Sequence, residues 1–175
     1  DKSIVIDTLC VGRDWNDVEW QALNASGYTG FQTTLSSTDF QTASRELATW
    51  NQRVIDHPDK LVKATTAADI RRAKKEGKVG VIFGFQNATM LEGRVDNLDP
   101  LFHLGTRCIQ LTYNDRNRLG NGCTERTDGG LSDFGVEVVH RMNELGIIVD
   151  LSHCGRQTSM DGIAVSKKPA SFTHT

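Results

Sequence analysis

No stretch of this sequence stays apolar for the roughly 20 residues that a membrane-spanning helix needs, so no such span is expected. Neither sign of charge dominates: 20 Lys and Arg stand against 22 Asp and Glu, for a net charge of -2 and a pI near 6.2. That balance excludes the basic footprint by which proteins hold nucleic acid or an anionic membrane. The run Arg71-Arg72-Ala73-Lys74-Lys75 falls where a surface helix is expected and reads as a solvated face. The four cysteines, Cys10, Cys108, Cys123 and Cys154, form neither a CxxC pair nor a dense framework, which argues against a disulfide scaffold. Three lie in or beside expected strands, where a free thiol is usually a small buried hydrophobe. A reducing, cytoplasmic setting is the expectation. No leader segment is recognisable, and no HExxH helix is present. Gly120-Asn-Gly122 lies in a long polar loop and is not a dinucleotide-binding turn.

What is present is a rhythm of strand and helix. With 38% hydrophobic and 24% charged residues, the chain has the composition of a globular domain. Short runs rich in β-branched and aromatic residues predict strands over 3–7, 27–35, 79–86, 107–113, 146–153 and 170–174. Their nearly continuous apolar character fits strands covered on both faces, as in a parallel sheet. Thr66-Ala-Ala-Asp69 opens a helix that Gly77 ends, and Thr158-Ser-Met-Asp161 reads as a second start of the same kind. Phe134, Val138, Met142 and Leu145 recur at helical spacing over 132–145, and a longer helix is expected over 39–55. This is an α/β pattern. A closed (β/α)8 TIM barrel and an open doubly wound sheet compete, and the missing dinucleotide turn weakens the second. A barrel takes about 250 residues. The 175 residues therefore read as one domain, with about the first six strands of a barrel and the remaining strands outside this chain.

Chemistry in such folds gathers at the carboxyl ends of the strands. Those ends carry Asp7 to Leu9, Gln86-Asn87, Tyr113-Asn114, His153 and His174. Two histidines ending neighbouring strands can converge on one metal ion, or each can simply hydrogen-bond a neighbouring loop. Strand parity puts His153 on one face with Leu151, Val149 and Ile147, and leaves Asp150 on the other, free to bond a loop or a helix start. Tyr113 reads either as a core residue with a satisfied hydroxyl or as part of the site. In the polar loop 114–130, Arg116, Arg118 and Arg126 can meet a substrate carboxylate or pair with Asp115, Glu125 and Asp128.

From about Lys78 onward the motifs are collinear with those of a known group. Leu104-Gly-Thr-Arg-Cys-Ile-Gln-Leu-Thr-Tyr-Asn114, Gly130-Leu-Ser-Asp-Phe-Gly135, Met142-Asn-Glu-Leu-Gly146, Val149-Asp-Leu-Ser-His153 and Pro169-Ala-Ser-Phe-Thr-His174 follow in order. Together they resemble the membrane (renal-type) dipeptidases, peptidase family M19, zinc metallopeptidases with an amidohydrolase-like barrel. The resemblance implies zinc, a small dipeptide-like substrate, proteolysis of a single amide bond and a homodimer. It implies His153 and His174 as metal ligands. It also implies a glutamate bridging two ions and a His-x-Asp pair after the first strand. Here Gln86 stands in the glutamate's place, and Leu9 and Val11 stand in those of the pair. Tyr113 takes the place of a histidine that steadies the oxyanion. These changes resemble a branch with Gln-Asn after the third of these strands and Leu-Thr-Tyr-Asn after the fourth.

A neutral amide bridges two dications poorly, and Leu and Val cannot ligate. One zinc ion is therefore expected rather than two. The expected function is a dipeptidase-like hydrolase in which a metal-activated water attacks the amide. His153 and His174 would hold the ion, Gln86 and Tyr113 would orient or polarise the substrate, and Asn114 and Arg116 would bind it. Two alternatives stand beside it: a catalytically inactive barrel that binds a small molecule, and an enzyme with changed, metal-free chemistry.

Overall fold

The computed structural model describes residues 3–11 and 15–175. Among these, strands β1 (Ile6–Cys10), β2 (Gly30–Leu35), β3 (Leu61–Lys63), β4 (Val79–Phe85), β5 (Thr106–Gln110) and β6 (Ile148–Asp150) form one sheet. Helices α1 (Asp17–Ser26), α2 (Phe40–Asp56), α3 (Ala67–Glu76), α4 (Leu98–Leu104), α5 (Asp133–Leu145) and α6 (Arg156–Val165) alternate with them. Every strand pair is parallel. The order β1-β2-β4-β5-β6 follows the chain without reversing, while β3 lies against the first half of β4 and β5 against its end. A doubly wound sheet reverses its order at a switch point. This sheet does not, and it is the wall of a partial (β/α)8 barrel.

Alternation along the strands separates two environments. Phe31 and Phe83 point outward and pack on Trp50 of α2, with ring centroids 6.1 and 6.2 Å apart. Phe85, Ile109, Leu111 and Val149 join that fully buried layer with Leu47, Val138 and Met142 of the helices. The inner face is more polar. Gln32 lies across Gly84, where any side chain on the neighbouring strand would collide with it. Cys108, Gln110 and Asp150 share that face and are buried.

The helix starts follow their caps. Thr66 and Asp69 form the expected capping box on α3, and Gly77 closes it at φ +66°. Ser132 caps α5, which ends at Gly146 with φ +79°. Asp39 caps α2. The second expected capping box does not exist: α6 starts at Arg156, and Thr158 is already inside it. The Thr158 hydroxyl instead donates to Asp128 (3.1 Å), and Asp128 supplies the cap by accepting the Gln157 amide at 2.5 Å.

Several boundaries differ from the sequence expectation. The first strand runs over Ile6–Cys10 rather than 3–7, so Asp7 and Leu9 lie inside it, at a break in register. The second begins at Gly30, because Gly27 ends α1. The strands expected to reach 113 and 153 stop at Gln110 and Asp150. The segment expected as a strand over 170–174 contributes a single parallel bridge, Ser171 to Asp150. Helices α1 and α4 and the three-residue β3 were not expected at all; β3 and the seven-residue α4 are too short to show a period.

Candidate active site

His153 is delivered by a turn and not by strand alternation. Asp150 Oδ1 accepts the Ser152 amide (2.9 Å) and hydroxyl (2.7 Å), a turn of the Asx type that stops β6. Three residues later His153 adopts φ +57°, a conformation few non-glycine residues hold. Strand parity is therefore overturned for His153. Leu151 packs against Gly162 of α6, away from the barrel interior. Asp150 does bond the neighbouring segment, as its place on the opposite face suggested.

The turn brings His153 onto Tyr113, with stacked rings 4.4 Å apart at 24°. On its other side lies His174, with centroids 4.9 Å apart. His153 Nδ1 bonds Asn114 Oδ1 at 2.8 Å, and the Cys123 thiol donates to the same oxygen at 3.7 Å. His174 is fixed from both ends. Its Nδ1 meets the Thr173 hydroxyl at 2.9 Å and its Nε2 meets the Gln86 amide nitrogen at 3.1 Å. Burial pushes the His174 imidazole below the usual histidine range; nearby Asp150 opposes the shift and His153 adds to it.

Gln86 follows β4. Its Oε1 accepts the Thr34 hydroxyl (3.3 Å), and its backbone carbonyl accepts Gln110 Nε2 (2.8 Å). Tyr113, 40% exposed, is not a core residue. Gln86 and Tyr113 line a cavity of about 640 Å³ with Val11, Thr34, Ser36 and Trp50. Asn87 and Tyr113 also border a second, of about 380 Å³, whose wall includes Glu92, Arg116, Arg118 and Phe134. Arg116, Arg118 and Arg126 form no ion pair among the described residues, so of the two readings left open for them the pairing with Asp115, Glu125 and Asp128 is not seen. Glu125 instead accepts the Arg116 backbone amide, and Asp128 caps α6. Thus Gln86, Tyr113, Asn114, His153 and His174 come together, and Arg116 lies beside them.

Thr34, Gln110 and Thr173 were not singled out for this network. The spacing Asp150-x-Ser152 was the readable sign of an Asx turn. A hydroxyl immediately before His174 was the other sign.

A family model described as membrane dipeptidase (peptidase family M19) matches residues 19–175. The chain belongs to the membrane dipeptidase family. Among solved structures it is similar to an amidohydrolase from Pseudomonas aeruginosa, at 40% identity and a TM-score of 0.93, over 98% of this chain and 53% of that one. A probable dipeptidase, PvdM, from the same organism shares the fold at 20% identity and a TM-score of 0.82, with 99% and 52% covered. A metallopeptidase from Rhodobacter sphaeroides, liganded with a phosphinate mimic of the dipeptide L-Ala-D-Ala, also shares it at 18% identity and a TM-score of 0.78, with 100% and 66% covered. This chain spans about half the length of the first two. No helix among its described residues is long and apolar enough to cross a membrane.

The zinc that the family implies can be tested against the donors this dipeptidase-family chain offers. No group of three His, Cys, Asp or Glu side chains is placed to hold an ion among the described residues. Gln86 presents an amide rather than a charged carboxylate, and Val11 borders the cavity with an aliphatic side chain. The set does not fit a carboxylate-bridged pair. His153 and His174 each bond a partner through Nδ1, as a metal-bound imidazole does through the nitrogen that is not ligating, while His174 Nε2 also meets the Gln86 amide nitrogen at 3.1 Å.

Proposed function

We propose that this protein is a dipeptidase-like hydrolase that cleaves a dipeptide or a related small amide, with one zinc ion held by His153 and His174. The observation that carries the proposal is the meeting of the two imidazoles, 4.9 Å apart, beside Gln86 and Tyr113 at the strand ends. When bound, zinc supplies the Lewis acidity that activates water and polarises a carbonyl near neutral pH. The remaining work falls to the chain's own groups. Gln86, anchored through Thr34 and Gln110, orients the substrate amide by hydrogen bonding. Tyr113 presents a hydroxyl donor where charge develops on the carbonyl oxygen. Asn114 holds His153, and Arg116, on the adjoining cavity, offers its guanidinium to the substrate carboxylate.

The neutral Gln86 favours a second reading, a barrel that binds a small amide without cleaving it. Hydrolysis of a dipeptide panel by the full-length protein separates the two. Turnover that a chelator abolishes and zinc restores supports the hydrolase. Saturable binding of the same dipeptides without turnover replaces it with the binding protein.

A further inference from the structure

The hydrogen bonds around His174 allow one arrangement of protons. The Asp150 side chain is buried, and both of its oxygens accept hydrogen bonds. Its Oδ1 takes the Ser152 hydroxyl at 2.7 Å, and its Oδ2 takes the Thr173 hydroxyl at 2.6 Å. Ser152 Oγ is itself filled as an acceptor by the amides of Thr173 (2.9 Å) and His174 (3.1 Å). With both hydroxyl protons committed to Asp150, the 3.3 Å approach of Ser152 Oγ to Thr173 Oγ1 carries none. Thr173 Oγ1 therefore turns a lone pair to His174 Nδ1, 2.9 Å away, and the ring proton sits on Nδ1. Nε2 keeps only its lone pair, which the Gln86 amide meets at 3.1 Å. With the ring nitrogen as acceptor, the amide nitrogen stands toward His174 and the amide oxygen toward the Thr34 hydroxyl, 3.3 Å away.

We propose that Asp150 and Thr173 are positioning residues that hold His174 as its Nδ1–H tautomer, so that its Nε2 lone pair faces Gln86 on the wall of the larger cavity. A ring with the proton on Nε2 has no lone pair to give there, so the relay decides what His174 can bind. The inference deepens the proposed function and rests on it for its catalytic consequence only. The tautomer belongs to the metal-free ring and is measured without turnover.

The test is a long-range proton–nitrogen correlation spectrum of full-length protein labelled with nitrogen-15 histidine, stripped with a chelator, at about pH 8 where histidine is neutral. His174 is expected with a protonated Nδ1 and an unprotonated Nε2. Thr173→Val keeps the side-chain shape and removes the acceptor, and should move the tautomer ratio toward Nε2–H by about tenfold, the worth of roughly one hydrogen bond. Thr173→Ser should restore the wild-type pattern. His153 should keep its own pattern throughout, which reports that the fold is intact. A wild-type His174 protonated on Nε2 overturns the proposal even if Thr173→Val fails to fold. So does an unchanged ratio in a folded Thr173→Val protein. An intact tautomer in a protein that cleaves no dipeptide would sink the proposed function and leave the relay standing.

Discussion

His174 meets a neutral amide where a charged partner would raise its affinity for protons, and it is partly withdrawn from water. Burial therefore dominates and lowers its pKa, with Asp150 opposing and His153 reinforcing the shift. The sign for stability follows. The unfolded histidine takes its proton near pH 6.5, whereas the folded one resists it. The folded state thus loses stability as pH falls from about 6.5 through the lower folded value, and this group contributes no dependence above that window. His174→Asn should show a smaller loss between about pH 7.5 and pH 5 in urea unfolding; an unchanged loss would place the acid sensitivity elsewhere. Gln86 carries a second prediction at this scale. In Gln86→Glu an anionic oxygen joins the two imidazoles, and zinc affinity should rise about tenfold or more, ~1.4 kcal/mol. Equal affinity by competition titration would mean that Gln86 is not beside the ion.

At the scale of elements, the loop between β5 and α5 is held by what it does for α6. Burial raises the Asp128 carboxyl, but the amides of Gly130, Gln157 and Thr158 and the Thr158 hydroxyl together outweigh it and keep it below the usual carboxylate range. Asp128 thus caps a helix that has no side-chain cap of its own. Asp128→Ala should cost about 1–2 kcal/mol in chemical unfolding, as lost helix caps do, and should free the loop that bears Asn114. A cost within about 0.5 kcal/mol, as for ordinary surface changes, would show that the helix starts without it. Helices whose caps lie in their own sequence were legible: α3 and α5 begin and end where Thr66, Gly77, Ser132 and Gly146 put them. The cap of α6 was not, because the carboxylate that accepts from its first turn sits 29 residues upstream of Gln157. The same locality limits the site. Gln86, Tyr113, His153 and His174 were readable as strand-end residues, but the expected alternation mispositioned His153, since the Asp150–Ser152 turn overrides it.

For the molecule as a whole, the outer layer of the wall holds the apolar packing and the inner end holds the candidate site. Phe83 has no exposed surface and touches Trp50 across the strand–helix interface. Phe83→Ala should cost about 3–5 kcal/mol, read by thermal or urea unfolding, and less than about 1 kcal/mol would contradict the packing described. The parallel order β1-β2-β4-β5-β6 was legible as a barrel because the apolar runs alternate with helices, and it brings residues from 34 to 174 to one end. The hydrogen-bond network around the two histidines was legible only in part, since its inner-face partners Thr34, Gln110 and Asp150 come from separate strands.

In the proposed function His153 and His174 together hold a single ion. Elemental analysis of full-length protein, washed free of loosely bound metal and compared with His153→Ala and His174→Ala, tests it most directly. The expected result is about one zinc per chain in the wild type and loss from both folded variants. Metal-free wild-type protein, two ions per chain, or full retention in either variant would contradict it.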